Sequence, residues 1–295
     1  MKEQAIYALG FFDGVHLGHQ ALLKECCALA QAQGCEPAAL TFRQAPAAVL
    51  LNQYPNTIST LHDRATLLKA YGIKTVMVFE TDRETLSIPW QDFLRRLMDE
   101  GAVGFVCGND FRFGQNGAGN AALLAEFCAQ NGLVCQIVPD QQMHGERISS
   151  TRIRKLLEDG DLDQANRLLG HPYLLTGGVT KGKQLGRTLD FPTANLELPE
   201  GMLCPKLGVY ACKALVDGRT FLAVTNIGNR PTVSGEGITV EAHLLDFYGD
   251  LYGKALTLSF FAFLRPEQKF ASLEELTAEI QKNVQQTRNF FEKSE

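Results

Sequence analysis

The feature that most constrains this chain is a change of rhythm at Gly170-His171-Pro172. Before it, short apolar runs alternate with amphipathic helical stretches. The runs are Ala5–Gly10, Ala38–Phe42, Thr75–Phe79, Gly104–Gly108 and Leu133–Val138. Helical periodicity fills Gly18–Gln33, Leu61–Tyr71, Trp90–Glu100 and Asn120–Asn131. Strands this short and this apolar are buried on both faces, so a parallel sheet covered by helices is expected. The expected architecture is a doubly wound, Rossmann-like α/β domain, with ligands outside the carboxyl ends of its strands. Two more helical stretches, Ser150–Glu158 and Leu162–Leu169, precede the break. The domain boundary is therefore placed there, giving residues 1–170 and 171–295.

After the break the β-type runs follow one another directly: Tyr210–Val216, Thr220–Asn226, Thr239–Phe247 and Leu256–Leu264. Turn residues such as Asp217-Gly218 and Gly249-Asp250 separate them. This succession predicts an antiparallel sandwich or small β-barrel. A C-terminal helix follows, with Leu273, Leu276, Ile280 and Val284 at helical spacing and Ser272/Glu275 as a capping box.

Composition removes several classes of function. The 295 residues carry 28 Lys and Arg against 33 Asp and Glu, a net charge of −5. That balance lacks the basic footprint of a nucleic-acid binder. Phe260–Leu264 is among the longest apolar stretches and is far too short to cross a bilayer. The N-terminus reaches glycine after five apolar-type residues, so no signal peptide is expected. Eight cysteines contain no C-x-x-C pair and several sit in apolar runs, which reads as free thiols in a reducing cytoplasm. Self-association is left open.

Three segments of the first half fall at one edge of the expected sheet. Gly10-Phe11-Phe12-Asp13-Gly14-Val15-His16-Leu17-Gly18-His19 runs from the first strand into a helix. Its glycines permit close backbone approach, and the helix start offers free N–H groups to an anion. Ordinary loop histidines are the bland alternative. A zinc site is a weaker rival, because no third ligand lies nearby in sequence. Gly108-Asn109-Asp110-Phe111-Arg112-Phe113-Gly114 follows the fourth strand, and Arg147-Ile148-Ser149-Ser150-Thr151-Arg152-Ile153-Arg154 follows the fifth. Hydroxyls, amides and arginines at a helix start suit a phosphate, although a solvated helix cap would look similar.

In the second half, Gly178-Val179-Thr180-Lys181-Gly182-Lys183-Gln184-Leu185-Gly186-Arg187 combines glycines with three cations, Lys181, Lys183 and Arg187. Phe191-Pro192-Thr193-Ala194-Asn195-Leu196 places a hydroxyl and an amide two residues apart, hard oxygen donors suited to Mg²⁺ on an extended chain. Turn chemistry accounts for the same pair. In Thr239-Val240-Glu241-Ala242-His243-Leu244, Glu241 faces away from its apolar neighbours, toward either a site or solvent.

Together, GFFDGVHLGH, GNDFRFG, RISSTRIR, GRTLDFPTANL, TNIGNRPT, VEAHLLDFYGDLYG and FLRPEQKFASLEEL span essentially the whole chain. This combination resembles the bacterial bifunctional riboflavin kinase/FAD synthetase family. The resemblance implies that His16 and His19 contact the ATP phosphates during adenylylation of FMN to FAD. It implies that Gly10, Phe12, Asp13 and Gly14 shape that site, with Asp110 near the nucleotide. Arg147, Ser150, Thr151 and Arg154 would hold the triphosphate. In the other half it implies ATP binding by Gly178, Lys181, Gly182, Lys183, Gly186, Arg187, Thr193 and Asn195. Thr193 and Asn195 would hold Mg²⁺, and Glu241 would be the general base for riboflavin phosphorylation. Asn226, Gly228, Arg230, Pro231, Thr232 and Glu241 would border the flavin. The implied partners are riboflavin, FMN, FAD and ATP. Gln184 and Asp190 depart from the family pattern and motivate an alternative, a flavin- or nucleotide-binding regulatory protein without turnover. A different H-x-G-H enzyme leaves the second half unexplained.

Overall fold

The computed structural model describes residues 3–50, 56–180, 191–232 and 235–293. The chain divides into two compact units, Met1–Thr57 with Leu61–Ser150, and Ile58–Thr60 with Thr151–Glu295.

In the first unit the elements are β1 (Ala5–Leu9), α1 (Leu17–Gln33), β2 (Glu36–Phe42), α2 (Pro46–Leu50), α3 (Leu61–Ala70), β3 (Thr75–Phe79), α4 (Arg83–Leu86), α5 (Trp90–Asp99) and β4 (Ala102–Gly108). Then come the hairpin β5 (Arg112–Phe113) and β6 (Gly119–Asn120), α6 (Ala121–Asn131), β7 (Val134–Val138), and the hairpin β8 (Gln142–Met143) and β9 (Glu146–Arg147). The sheet is parallel, in the order β3-β2-β1-β4-β7. All five residues of β1 are buried. Ala5, Tyr7 and Leu9 join an apolar cluster with Leu40, Phe93, Leu97, Phe105 and Leu124. Ile6 and Ala8, also buried, alternate to the opposite face. Apolar side chains on both faces of the central strand are why this sequence forms a parallel, doubly covered sheet. The long helix α1 buries Leu22, Leu23, Cys26 and Ala30, and it stops at Gly34, whose φ of +63° suits a left-handed cap.

The second unit contains α7 (Ser150–Asp159, beginning at the junction), α8 (Leu162–Leu169), β10 (Tyr173–Thr180), β11 (Ala194–Glu197), β12 (Gly208–Val216), β13 (Arg219–Thr232), β14 (Gly235–Leu244), β15 (Ala255–Pro266) and α9 (Leu273–Glu292). The six strands close into an antiparallel barrel in the order β10-β11-β14-β13-β12-β15. Closure removes the free edges that six short strands would otherwise expose. The helix α9 starts at Ser272, whose side chain accepts from the Glu275 amide at 3.2 Å.

The sequence marks most elements to within a few residues. It does not mark β10 and β11 as strands. Gly177 and Gly178 weaken the local preference, but pairing of Tyr173–Gly178 with Phe260–Ala255 overrides it. The hairpins β5–β6 and β8–β9 and the short helices α2 and α4 are too brief to show a period. The helices α7 and α8, placed before the break by their sequence rhythm, cluster with the barrel. The Leu157 carbonyl accepts from the Lys206 amide at 3.0 Å. The Asn166 side chain donates to the Phe260 carbonyl and accepts from the Tyr173 amide, at 2.9 and 2.8 Å.

Gly114 offers a test of the first unit. Its φ is +70°, and a Cβ there would lie 2.5 Å from the Trp90 Cα. Backbone cannot swing aside as a side chain can. Gly114→Ala is predicted to destabilise this unit by roughly 2–4 kcal/mol. Urea unfolding followed by fluorescence of Trp90, the chain's single tryptophan, reads that unit alone.

Candidate functional site

The strands β2 and β3 lie to one side of β1, while β4 and β7 lie to the other. The direction of winding therefore reverses between β1 and β4. Such a reversal opens a crevice at the carboxyl ends of the two strands. The segment after β1 and the segment after β4 both enter it. A cavity of about 480 Å³ lies there, with Gly10, Phe12, His16, His19, Asp110, Arg147 and Ser150 on its wall.

The turn after β1 is strained. Phe12, Gly14 and Val15 have φ of 57°, 73° and 41°. Left-handed backbone is costly for a phenylalanine and more so for a β-branched valine, and such strain persists only where the surroundings impose it. Here it delivers His16 to the start of α1. The His16 Nδ1 accepts from the His19 amide at 3.3 Å, so a neutral His16 carries its hydrogen on Nε2. The two imidazoles stack with centroids 3.7 Å apart and planes 14° from parallel. Gly18 makes this possible, since a Cβ there would press to 3.1 Å on the His16 ring. The Phe12 ring meets His19 edge-on at 5.3 Å.

Burial, then the neighbouring His16 and Arg64, hold the His19 pKa well below the ordinary value of 6.5. Among the described residues its Nδ1 makes no hydrogen bond. A neutral imidazole with an unused buried nitrogen is suited to receive an anionic oxygen once that nitrogen is protonated. Opposite, the Arg147 guanidinium pairs with Asp110 and lies 3.2 Å from Asp140. The hydrogen bond to Asp110 raises the Arg147 pKa, so this cation is permanent. Ser150 Oγ donates to the Asp13 carbonyl at 3.1 Å, which ties the start of α7 to the turn after β1. Asp13 and Gly14 are buried behind the wall and do not line it. Thr151 and Arg154 belong to the second unit.

In the barrel the register brings a different set together. Asn195 pairs with Glu241, and Glu241 pairs with Asn226, across β11, β14 and β13. Directly paired residues share a face. Their neighbours Ala194, Leu196, Val240, Ala242, Thr225 and Ile227 are buried in the barrel interior, so the row of three faces outward, half-buried. Glu241 thus points away from its apolar neighbours, as its alternation suggests. Gly228 is pressed by Glu267. A Cβ at position 228 would collide with that carboxylate and come within 3.2 Å of the Asn226 Nδ2.

Thr193 lines a separate cavity of about 420 Å³ with Pro192, Phe247, Tyr248, Asp250 and Tyr252, whereas Asn195 and Glu241 do not. His243 Nδ1 donates to the Pro192 carbonyl at 2.9 Å and steadies that segment. Gly178 lies in β10. Arg230, Pro231 and Thr232 lie on β13 opposite Gly237, Glu236 and Gly235. Lys181, Gly182, Lys183, Gln184, Gly186, Arg187 and Asp190 fall outside the described residues.

Among the described residues no group of three His, Cys, Asp or Glu is arranged to hold a metal. Thr193 and Asn195 supply two neutral oxygens. That set fits a hard cation such as Mg²⁺ only when phosphate oxygens complete its shell. The eight cysteines are free thiols. Burial pushes Cys26 and Cys107 up to about 12, which leaves them protonated and inert.

Three residues at these sites escape the sequence reading. Asp140 lies in a polar loop without a motif, and Glu267 sits within FLRPEQKFASLEEL with no role marked by its pattern. Arg64 is nearly fully buried, and its only sequence signal is a charge among the inward positions Leu67 and Leu68 of a helix.

The description "FAD synthetase" matches residues 1–152, and "Riboflavin kinase" matches residues 169–291. A bifunctional riboflavin kinase/FMN adenylyltransferase of Listeria monocytogenes is 38% identical over 98% of this chain and 93% of its own length. The Escherichia coli protein of the same description is 36% identical over 98% and 94%. A solved structure from Streptococcus pneumoniae, described as a macrolide-efflux protein, is similar with a TM-score of 0.87. It is 29% identical, over 98% of this chain and 95% of its own. Among the described residues of the present chain no helix is long and apolar enough to cross a membrane.

The low His19 pKa has a consequence for stability. Below pH 6.5 the unfolded chain binds a proton at His19 that the folded chain refuses, so stability is lost as pH falls from 6.5. The slope from this group approaches about 1.4 kcal/mol per pH unit. Comparing melting of the native protein and His19→Gln at pH 7 and pH 5.5 tests this. The native protein is expected to lose more, and equal losses would contradict it.

Proposed function

The chain belongs to the family of bifunctional riboflavin kinase/FMN adenylyltransferases, and from that premise we propose how its residues divide the two reactions. It is a transferase that converts riboflavin to FMN and FMN to FAD, with ATP as donor in both steps. We assign residues 1–170 to adenylyl transfer and 171–295 to the kinase. The two family matches, over residues 1–152 and 169–291, support that order of the two activities.

In the first unit the FMN phosphate attacks the α-phosphorus of ATP, and pyrophosphate leaves. No side-chain nucleophile is needed. Both reactants are anions, so catalysis rests on alignment and on charges placed before reaction. His16 and His19 hold the phosphate oxygens on which charge builds up. His19 acquires its proton only when an anion offsets the cost of burying a charge there. Arg147, fixed by Asp110 and Asp140, and Ser150 receive the β- and γ-phosphates. Gly10 and Phe12 form the floor, and Asp13 supports it from behind. Thr151 and Arg154 are assigned to the triphosphate on the RISSTRIR motif alone.

In the barrel, Glu241 takes the proton from the terminal ribityl hydroxyl of riboflavin. That oxygen bonds to the γ-phosphorus, and ADP leaves. A carboxylate suffices because the proton moves late in a loose phosphoryl transfer. Asn226, Gly228 and the β13 segment Arg230, Pro231 and Thr232 border the flavin. Gly178 and the cationic segment bearing Lys181, Gly182, Lys183, Gly186 and Arg187 take the nucleotide. Thr193 and Asn195 would hold Mg²⁺ with the phosphates, and the ion, when bound, neutralises phosphate charge. The observation that carries the reading is the pair of separate clusters. His16, His19, Arg147 and Ser150 meet at one cavity, and Asn195, Glu241 and Asn226 share one row in the other unit. We place the enzyme in the cytoplasm, without nucleic-acid or membrane partners. The free thiols and acidic balance support this.

Product chromatography on the purified chain with ATP and Mg²⁺, and with riboflavin or FMN supplied in separate reactions, tests the division. Glu241→Gln is predicted to lower FMN formation by about 10²–10⁴-fold while FMN adenylylation persists. The double variant His16→Ala/His19→Ala is predicted to do the converse. Joint loss in either variant would refute the assignment. Flavin binding without turnover in the native chain would restore the regulatory-protein alternative.

A further inference from the structure

Arg64 lies outside the cavity, on α3, and is only 1% exposed. Arginine is rarely buried so completely without a role that uses its charge or its planar fork. Its guanidinium lies over the Phe11 ring, 4.2 Å from the centroid. Its Nη2 donates to the Phe42 carbonyl at 2.7 Å. Phe42 ends β2 and Phe11 follows the end of β1, so one side chain spans two adjacent strand ends. Asp13, itself buried in the strained turn, attracts it electrostatically. Among the described residues its Nε makes no hydrogen bond. Burial draws its pKa down to about 10, so it remains charged at neutral pH.

We propose that Arg64 is a positioning residue for adenylyl transfer, a buried clamp that fixes the Phe11–Asp13 turn and through it the stacked His16–His19 pair. The turn adopts left-handed backbone at Phe12 and Val15, which a chain does not hold unaided. The segment needs an anchor on each side. Ser150 supplies one through the Asp13 carbonyl, and Arg64 supplies the other through the Phe11 ring and the Asp13 charge. The same cation has a second effect. It stands close enough to His19 to oppose protonation there, after burial and His16. The other titratable groups of this site are Asp13 in the turn and, elsewhere on the cavity wall, Asp110, Arg112, Asp140 and Arg147. Arg64 therefore adds to the burial and the neighbouring His16 that keep His19 uncharged until an anionic substrate arrives. One residue that touches neither reactant thus contributes to both the position and the protonation state of the pair.

This inference rests on the assignment of adenylyl transfer to the histidine cavity, and its test separates the two. In full-length Arg64→Met, kcat for FMN adenylylation is expected to fall about 10- to 100-fold, as for a displaced catalytic group, with KM for ATP changed less than about threefold. Riboflavin phosphorylation by the same chain is the internal control and should stay within about twofold. Histidine NMR titration should show the His19 pKa moving up toward its ordinary value. Arg64→Lys, which keeps the charge without the planar stack, should restore the low His19 pKa and only part of the rate. Unchanged adenylylation in Arg64→Met would overturn the proposal, even if His16→Ala/His19→Ala is inactive. So would an unmoved His19 titration. Loss of the cooperative unfolding of the first unit in both Arg64 variants would also overturn it, because the residue would then be merely structural. If the histidine double variant itself remains active, the cavity assignment fails instead.

Discussion

The pairing of β1 between β2 and β4 is the constraint on which the rest of the first unit depends. Every residue of β1 is buried, and its side chains feed apolar clusters on both faces of the sheet. A strand so placed cannot slip by one residue without exchanging its two faces. Its carboxyl end is therefore fixed in space. Everything chemical in this unit hangs from that end: the strained turn, the histidine stack and the wall formed with the segment after β4.

The barrel solves a related problem by closure. Its register, not a loop, determines which polar groups meet. Asn195, Glu241 and Asn226 come from three separate segments of sequence and stand side by side because β11, β14 and β13 pair in that order. The interior neighbours Ala194, Val240, Ala242 and Thr225 hold the alternation in place. Apolar burial on one side of each strand thus dictates that the three polar groups share the other.

The first unit places ionisable groups where the surrounding protein decides their charge. His19 is kept neutral by burial and by neighbouring positive potential, while Arg147 is held charged by Asp110. Such a contrast suits chemistry on phosphates. A permanent cation attracts the polyanion, and a group that becomes cationic only beside it responds to the substrate itself. The glycines at 18 and 228 serve the same end. Each is small because a ring or a carboxylate occupies the space a Cβ would take.

The sequence by itself determined the two-part architecture, because apolar period and turn chemistry are local properties. Alternating strands and helices before Gly170, and strands alone after it, left little choice of fold class. It also marked His16, His19, Arg147, Thr193 and Glu241 through short motifs tied to strand ends. Only the tertiary structure decided which of these share a surface. It made β10 and β11 strands against weak local preference, and it put α7 and α8 with the barrel. It set Asn195 beside Glu241 across β11 and β14 and put Thr193 on a cavity wall. It also buried Arg64 beneath the catalytic turn. These outcomes depend on contacts between residues tens of positions apart, and no local pattern records them. A buried arginine and an exposed one are written with the same letter, and only the packing around it shows which has been built.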